Sequence, residues 1–387
     1  MRCDGITMYT CAIAATALAT SSAWGGTAFT ANEQTVTISV INTVTDTVID
    51  TIGLGSDPAI PGTPQPNGPL NGEADHHAPF YNGHVDPHGL GMTSDGSVLL
   101  VACRISGTVV AIDTQTRKVL GYVPVGREPH IAVVRPGDKE AWVAVRGEDY
   151  VDVIKLSDRR LRDATRRRTD RLRLSEPVET MLGPSQVSFT RDGQSAFVVS
   201  GKQAVVQKFD ADSRRLVASR TVVAPFSPFG DVSPDDRFLV VVHKGAGSFS
   251  ILRTSDLSFL VDAAPIGPRA NHAEFVGDHL VYLTIGGPAP TAANPDPEGK
   301  IVIFDLNTLS IVRELTGPTW NGEPHGIWDV GGKLYVGHER GNRVMVLNYG
   351  NPNDPDDDFV AGLVTGTPIQ IGFMKRIIDV VATPSGH

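Results

Sequence analysis

Six copies of one short pattern recur along the chain, and their spacing constrains the fold before any single residue does. Each copy opens with a dipeptide: Pro87-His88, Pro129-His130, Pro184-Ser185, Pro228-Phe229, Asn271-His272 and Pro324-His325. A Gly/Asp turn follows, such as Ser94-Asp95-Gly96 or Arg191-Asp192-Gly193, and then an apolar run such as Val98–Cys103 or Phe238–His243. Successive openings are 42, 55, 44, 43 and 53 residues apart. The copy from Asp86 to Gly126 reads in full as four short strands, His88–Thr93, Val98–Cys103, Thr108–Ile112 and Val119–Val125. Turn residues separate them, and nothing inside is regular enough for a substantial helix. A four-stranded unit at this period is a propeller blade.

The ends of the chain complete the count. Gly26–Gly55 carries a second, third and fourth strand but no first, and Ile377–Gly386 reads as a lone first strand with its turn. Joined, they make a seventh blade. The expectation is an all-β, seven-bladed β-propeller with four-stranded blades. Its ring closes where the C-terminal strand joins the N-terminal blade, which hides edges that an open array would expose.

Ala28-Phe29-Thr30-Ala31-Asn32 followed by Val40-Ile41-Asn42, together with the recurring Pro-His-Gly…Ser-Asp-Gly cadence, carries a more specific likeness. The chain resembles the YVTN/YncE-like seven-bladed propellers over roughly residues 27–387. These are related in shape to the propellers of nitrous oxide reductase, cytochrome cd1 and the seven-bladed lactonases. The resemblance implies the fold strongly and function weakly, because this fold hosts many activities.

Charge narrows the partners. With 34 Lys and Arg against 43 Asp and Glu, the net charge is −9, which argues against a general nucleic-acid surface. Residues 1–25 read as a secretory signal: Arg2 gives a positive start, Cys11–Ala19 a short apolar core, and Ser21-Ser22-Ala23 or Ala23-Trp24-Gly25 a small-residue cleavage site. The propeller then spans 26–387, exported to the periplasm or secreted, and a monomer is expected. Removal of the signal takes Cys3 and Cys11, leaves Cys103 as the sole thiol, and rules out an internal disulfide. No run approaches a membrane span.

Four insertions interrupt the blades. Ser56–Val85 contains His76, His77 and His84, and Asp158–Arg173 carries eight arginines. Gly286–Gly299 is dominated by Pro, Ala and Asn, and Asn351–Asp358 is acidic. Long loops in compact domains are often functional. The arginine run maps to the bottom of the ring, where it reads as a solvated loop or a dock for an acidic partner. Asp354–Asp358 offers oxygen ligands for calcium but lacks the EF-hand spacing.

Strand direction sorts the histidines. If each first strand starts at the top, nine of the eleven histidines map to that end, and only His279 and His387 to the bottom. His88, His130, His272 and His325 share one position, the start of the first strand, in four of seven blades. His243 and His338 end second strands, in the column of Asn32 and Cys103. First strands line the central tunnel, so the four shared-position histidines encircle one funnel. Neutral imidazole ligates copper, zinc, iron and nickel, and three or four around an open position suit a catalytic metal. The expected ligands are His88, His130, His272 and His325, then His243 and His338, holding copper or zinc. Each such histidine can instead be a strand cap of the repeat. The loop with His76, His77 and His84 would serve as a lid or a further ligand source.

Carboxylates flank the motif. Asp86, Glu128 and Glu323 precede three of the histidines by two residues, and Glu274 follows His272 by two. They are expected to orient imidazoles or, for Glu128, Glu274 and Glu323, to act as general base. The competing reading for each is a solvated rim charge. Cys103 reads as a small buried apolar residue or, less simply, as a copper ligand.

There is no phosphate-cradling loop, nucleophile elbow or CxxCH haem motif. Three readings stand. The first is an exported metal-binding propeller, with copper and redox chemistry implied by the likeness to nitrous oxide reductase, although that family's separate electron-transfer copper domain is missing. The second is a lactonase- or lyase-type enzyme acting on a small polar substrate in the same funnel. The third is a non-catalytic interaction platform. Expected partners are a small-molecule substrate or a redox partner protein.

Overall fold

The computed structural model describes residues 26–33, 35–54, 85–156, 169–173, 183–223, 226, 228–330, 332–349, 364–365, 369–370 and 377–382. The expected signal segment, the loop bearing His76, His77 and His84, the arginines from 159 to 168, and the acidic run at 354–358 lie outside these residues.

Seven antiparallel sheets form a β-propeller. Blade 2 runs Pro87–Met92, Val98–Cys103, Thr108–Asp113 and Lys118–Pro124 from the tunnel outward. Blades 4, 5 and 6 repeat this order from Pro184–Phe189, Phe229–Val232 and Ala270–Val276. Blade 7 starts at Pro324–Asp329, and two short outer strands, Val364–Thr365 and Ile369–Gln370, both pair with Arg343–Asn348. Blade 1 is closed by the chain end: Ile377–Ala382 pairs with Thr27–Asn32, setting Phe29 opposite Val381. The expected closure and blade count are therefore observed.

One expectation is corrected. Asp158–Arg173 is not wholly an insertion, because Thr169–Arg173 is the outer strand of blade 3, paired with Tyr150–Lys155.

The repeated turn has a physical basis. Thr93 Oγ1 donates to Asp95 Oδ1, which also accepts the Ser97 N–H at 2.9 Å. Thr190, Asp192 and Gln194 repeat this in blade 4, as do Ser233, Asp235 and Arg237 in blade 5. An aspartate that closes its own turn is a local, sequence-readable device. Between blades, apolar faces interlock. Leu99, Val101 and Val110 of blade 2 pack with Phe29, Ile38 and Val40 of blade 1. Each such side chain contributes roughly 1.5–3 kcal/mol on burial.

Candidate functional site

Every first strand with a histidine at its start carries an irregularity there. The pairing register shifts between Pro87 and Leu90, Pro129 and Ile131, Ala270 and Ala273, and Pro324 and Ile327. A bulge leaves its extra residue outside the ladder and re-aims that side chain. The histidines are among those residues, and His88 and His130 turn their rings along the tunnel wall to the next blade.

The result is a collar. The His88 and His130 ring centroids lie 4.3 Å apart, those of Phe229 and His272 4.4 Å, and those of His272 and His325 4.7 Å. His88 Nδ1 lies 3.2 Å from the His130 carbonyl oxygen, and His130 Nδ1 2.6 Å from that of Ser185. A carbonyl only accepts, so both Nδ1 atoms carry the proton and both Nε2 atoms keep a lone pair. The accepting carbonyls belong to the next bulge, where the ladder leaves them free. Between blades 6 and 7 the same task falls to other groups. Asn271 Nδ2 donates to the Pro324 carbonyl and Thr284 Oγ1 to that of His325, at 2.8 and 2.7 Å.

Burial holds these imidazoles neutral. His88, His130 and His272 are pushed well below the usual imidazole value, first by loss of hydration and then by neighbouring positive groups.

The remaining expected residues fall elsewhere. His243 is fully buried against the third strand of its own blade, with Nε2 2.9 Å from Ser250 Oγ. His338 donates Nδ1–H to the Asn321 carbonyl at 2.8 Å and stacks on Trp320. Neither joins the collar. Cys103 sits in the blade 1–blade 2 core.

The expected carboxylate roles at Asp86, Glu128 and Glu323 change. All three adopt positive φ (57°, 52° and 60°) in the turns entering the first strands. Their side chains meet arginines: Asp86 meets Arg104 at 3.0 Å, Glu128 meets Arg146 at 3.4 Å and Glu323 meets Arg340 at 3.0 Å. Glu323 is buried and also pairs with Arg269 and Lys244. Carbonyl oxygens, not these carboxylates, orient His88 and His130. Among the described residues, no group of three His, Cys, Asp or Glu side chains is placed to hold a metal ion.

Below the collar the tunnel widens into a cavity of about 300 Å³. Leu90, Ile131, Val133, Phe189 and Ile327 form much of its wall, and Gln186, Ser188, Asp231, His272 and Glu274 gather on the side of blades 4 to 6. Glu274 is thus the one carboxylate candidate from the sequence that faces this space. Asp231 was not anticipated. It stands two residues after Phe229, as Glu274 stands two after His272, so the two carboxyls hold equivalent places on neighbouring first strands. Reading alternate positions along each first strand would have found it.

Asp231 is held up at a pKa of about 6 by burial, against the opposing effects of hydrogen bonds from the Val232 N–H and from Ser188. A carboxyl that titrates near neutrality beside a second carboxylate is an acid–base arrangement.

No family model matches the chain, and no curated protein matches it in sequence. Solved structures do. A functionally unknown protein from Desulfotomaculum acetoxidans DSM 771 aligns with a TM-score of 0.64 at 12% identity, covering 93% of this chain and 99% of that one. Hydrazine synthase from Kuenenia stuttgartiensis aligns at 0.58 and 17%, covering 77% and 86%. The Cps50 (Swd1) β-propeller domain of Myceliophteria thermophila aligns at 0.58 and 14%, covering 84% and 96%. The likeness is one of fold. At these identities it carries no activity across.

Proposed function

We propose that the chain is an acid–base enzyme of the hydrolase or lyase kind, acting on a small, partly apolar substrate in the lower tunnel. The observation that carries this reading is Asp231, poised near neutrality in a cavity wall beside Glu274. A cavity of about 300 Å³ admits a small molecule. Its apolar side would take the hydrocarbon part, and Gln186, Ser188 and His272 would orient the polar part. In ester or lactone hydrolysis, Glu274 would accept a proton from water as the water oxygen attacks the carbonyl carbon. Asp231 would protonate the alkoxide released when the carbon–oxygen bond breaks. The resemblance to the YVTN/YncE-like and lactonase propellers fits this reading. The N-terminal segment supports export, which N-terminal sequencing of the mature protein would check.

A panel of lactones, esters and β-elimination substrates tests the proposal. The expected result is turnover with a pH limb near 6, lowered at least a hundredfold by Asp231→Asn and by Glu274→Gln with the fold retained. Turnover indifferent to both substitutions would overturn it.

A second reading rests on the protonation of His88 and His130. Each donates through Nδ1 to a carbonyl, an arrangement that fixes the ring and raises Nε2 basicity in metal sites. Copper or zinc between these two imidazoles would need further ligands from a bound molecule. Elemental analysis of chelator-free protein against a variant with alanine at 88, 130, 272 and 325 decides it: metal in the wild type alone supports it, and metal in neither refutes it.

A further inference from the structure

A second hollow lies on the top face, away from the tunnel cavity. It measures about 560 Å³ and is lined by Arg104, Arg127, Glu128, Arg146 and Lys202, with Ile105 and Gly147. Among the described residues, four cations thus face one acid. Two are spent on close carboxylates. Arg104 reaches Glu33 at 2.6 Å and Asp86 at 3.0 Å, and Arg127 grips Glu148 through two contacts of 2.7 and 3.3 Å.

Arg146 and Lys202 differ. Arg146 uses only Nε, on Glu128 at 3.4 Å, and the Glu128 side chain is itself 48% exposed. Both Nη groups of Arg146 lack a hydrogen-bond partner among the described residues, although its side chain is only 19% exposed. The Phe226 ring lies 5.9 Å from its guanidinium carbon. Burial and the charge of Arg104 make this guanidinium less basic than usual, the mark of an under-neutralised cation. Lys202 is exposed and has no ion-pair partner among the described residues. A planar fork with two amino groups unpartnered among the described residues, lining the same hollow as an ammonium in the same state, matches a carboxylate or phosphate group.

We infer that this hollow binds a small oxyanion, gripped by Arg146 through its Nη groups and by Lys202. Glu128 stays on the Nε edge and opposes the incoming charge, so it tunes affinity downwards. The inference is independent of the chemistry proposed for the tunnel, because it needs neither Asp231 nor Glu274.

Calorimetric titration of the full chain at low ionic strength tests it, with inorganic phosphate in one arm and succinate in the other. Saturable binding is expected in at least one arm, weakened at least tenfold by Arg146→Gln and by Lys202→Gln, and strengthened by Glu128→Gln. Phosphate alone would identify a phosphorylated ligand, and succinate alone a carboxylate ligand. Because Lys202 is exposed, its variant keeps the test valid if Arg146→Gln does not fold. No binding in either arm, or binding unmoved by both cation substitutions, would overturn the inference.

Discussion

His88 donates its Nδ1–H to the backbone carbonyl of His130, across the gap between blades 2 and 3. His130 does the same to Ser185 of blade 4, at 2.6 Å. Two of the recurring histidines are therefore ties between blades. Removing one leaves a buried carbonyl unpaired, which costs about 1–3 kcal/mol. His88→Ala and His130→Ala should each lower the urea midpoint by that equivalent. The larger loss is expected at His130, whose bond is shorter. His130→Asn, which retains a donor, should recover part of it. Equal stability of wild type and both alanine variants would contradict this role.

Glycine sets how closely those two blades approach. A methyl group at Gly91 would be driven into the carbonyl oxygen of Ala132, and one at Gly89 into that of His130. The obstacles are backbone atoms, which do not swing aside. Gly91→Ala should cost about 2–3 kcal/mol, in the range of overpacked cores. Chemical denaturation measures this directly, and a neutral substitution would show that the blades slide apart freely.

Acid should loosen the propeller. His88, His130 and His272 are depressed well below the ordinary value, His243 to about 4 and His338 to about 3, each chiefly by burial. The unfolded imidazole takes up its proton near 6.5, before the folded one does. Stability is therefore complete above about 6.5 and falls as pH drops, by about 1 kcal/mol per pH unit for each histidine still neutral in the fold. Asp231 acts in the opposite sense between about 4 and 6, but it is one group against five. Urea midpoints at pH 7.5, 6 and 5 should fall steadily, and His338→Gln should flatten the slope. A pH-independent midpoint would refute the assignment.

Much of the architecture was legible because its signals are local. Asp95, Asp192 and Asp235 close their own turns, so the turn sequence marks each blade whatever surrounds it. The strand Thr169–Arg173 reads as loop for the converse reason: Leu172 is its one apolar residue, which leaves no apolar alternation to detect. The histidine column was equally visible. The aim of its rings was not, because that depends on bulges that arise only when strands pair. Asp231 escaped notice because its significance comes from Glu274 on the neighbouring blade, 43 residues along the chain.

Asp231→Asn should separate stability from chemistry. The folded state holds the Asp231 proton up to about 6, whereas the unfolded chain releases it near 3.8. Above pH 6 the ionised carboxylate costs stability. The amide removes that cost and should stabilise the protein by up to about 3 kcal/mol at pH 7. The gain should vanish below pH 4, where both states are protonated. Thermal unfolding of the two proteins at pH 7.5 and 3.5 checks the sign, and a destabilised variant at pH 7.5 would contradict it.

The most direct test of the tunnel as an acid–base site is the titration of that carboxyl. Carbon-13 NMR of aspartate-labelled protein, compared with Asp231→Asn to assign the signal, follows its protonation. A midpoint near 6, missing from the variant, is the predicted result. An Asp231 signal that titrates near 4, as an ordinary surface aspartate does, would contradict the account.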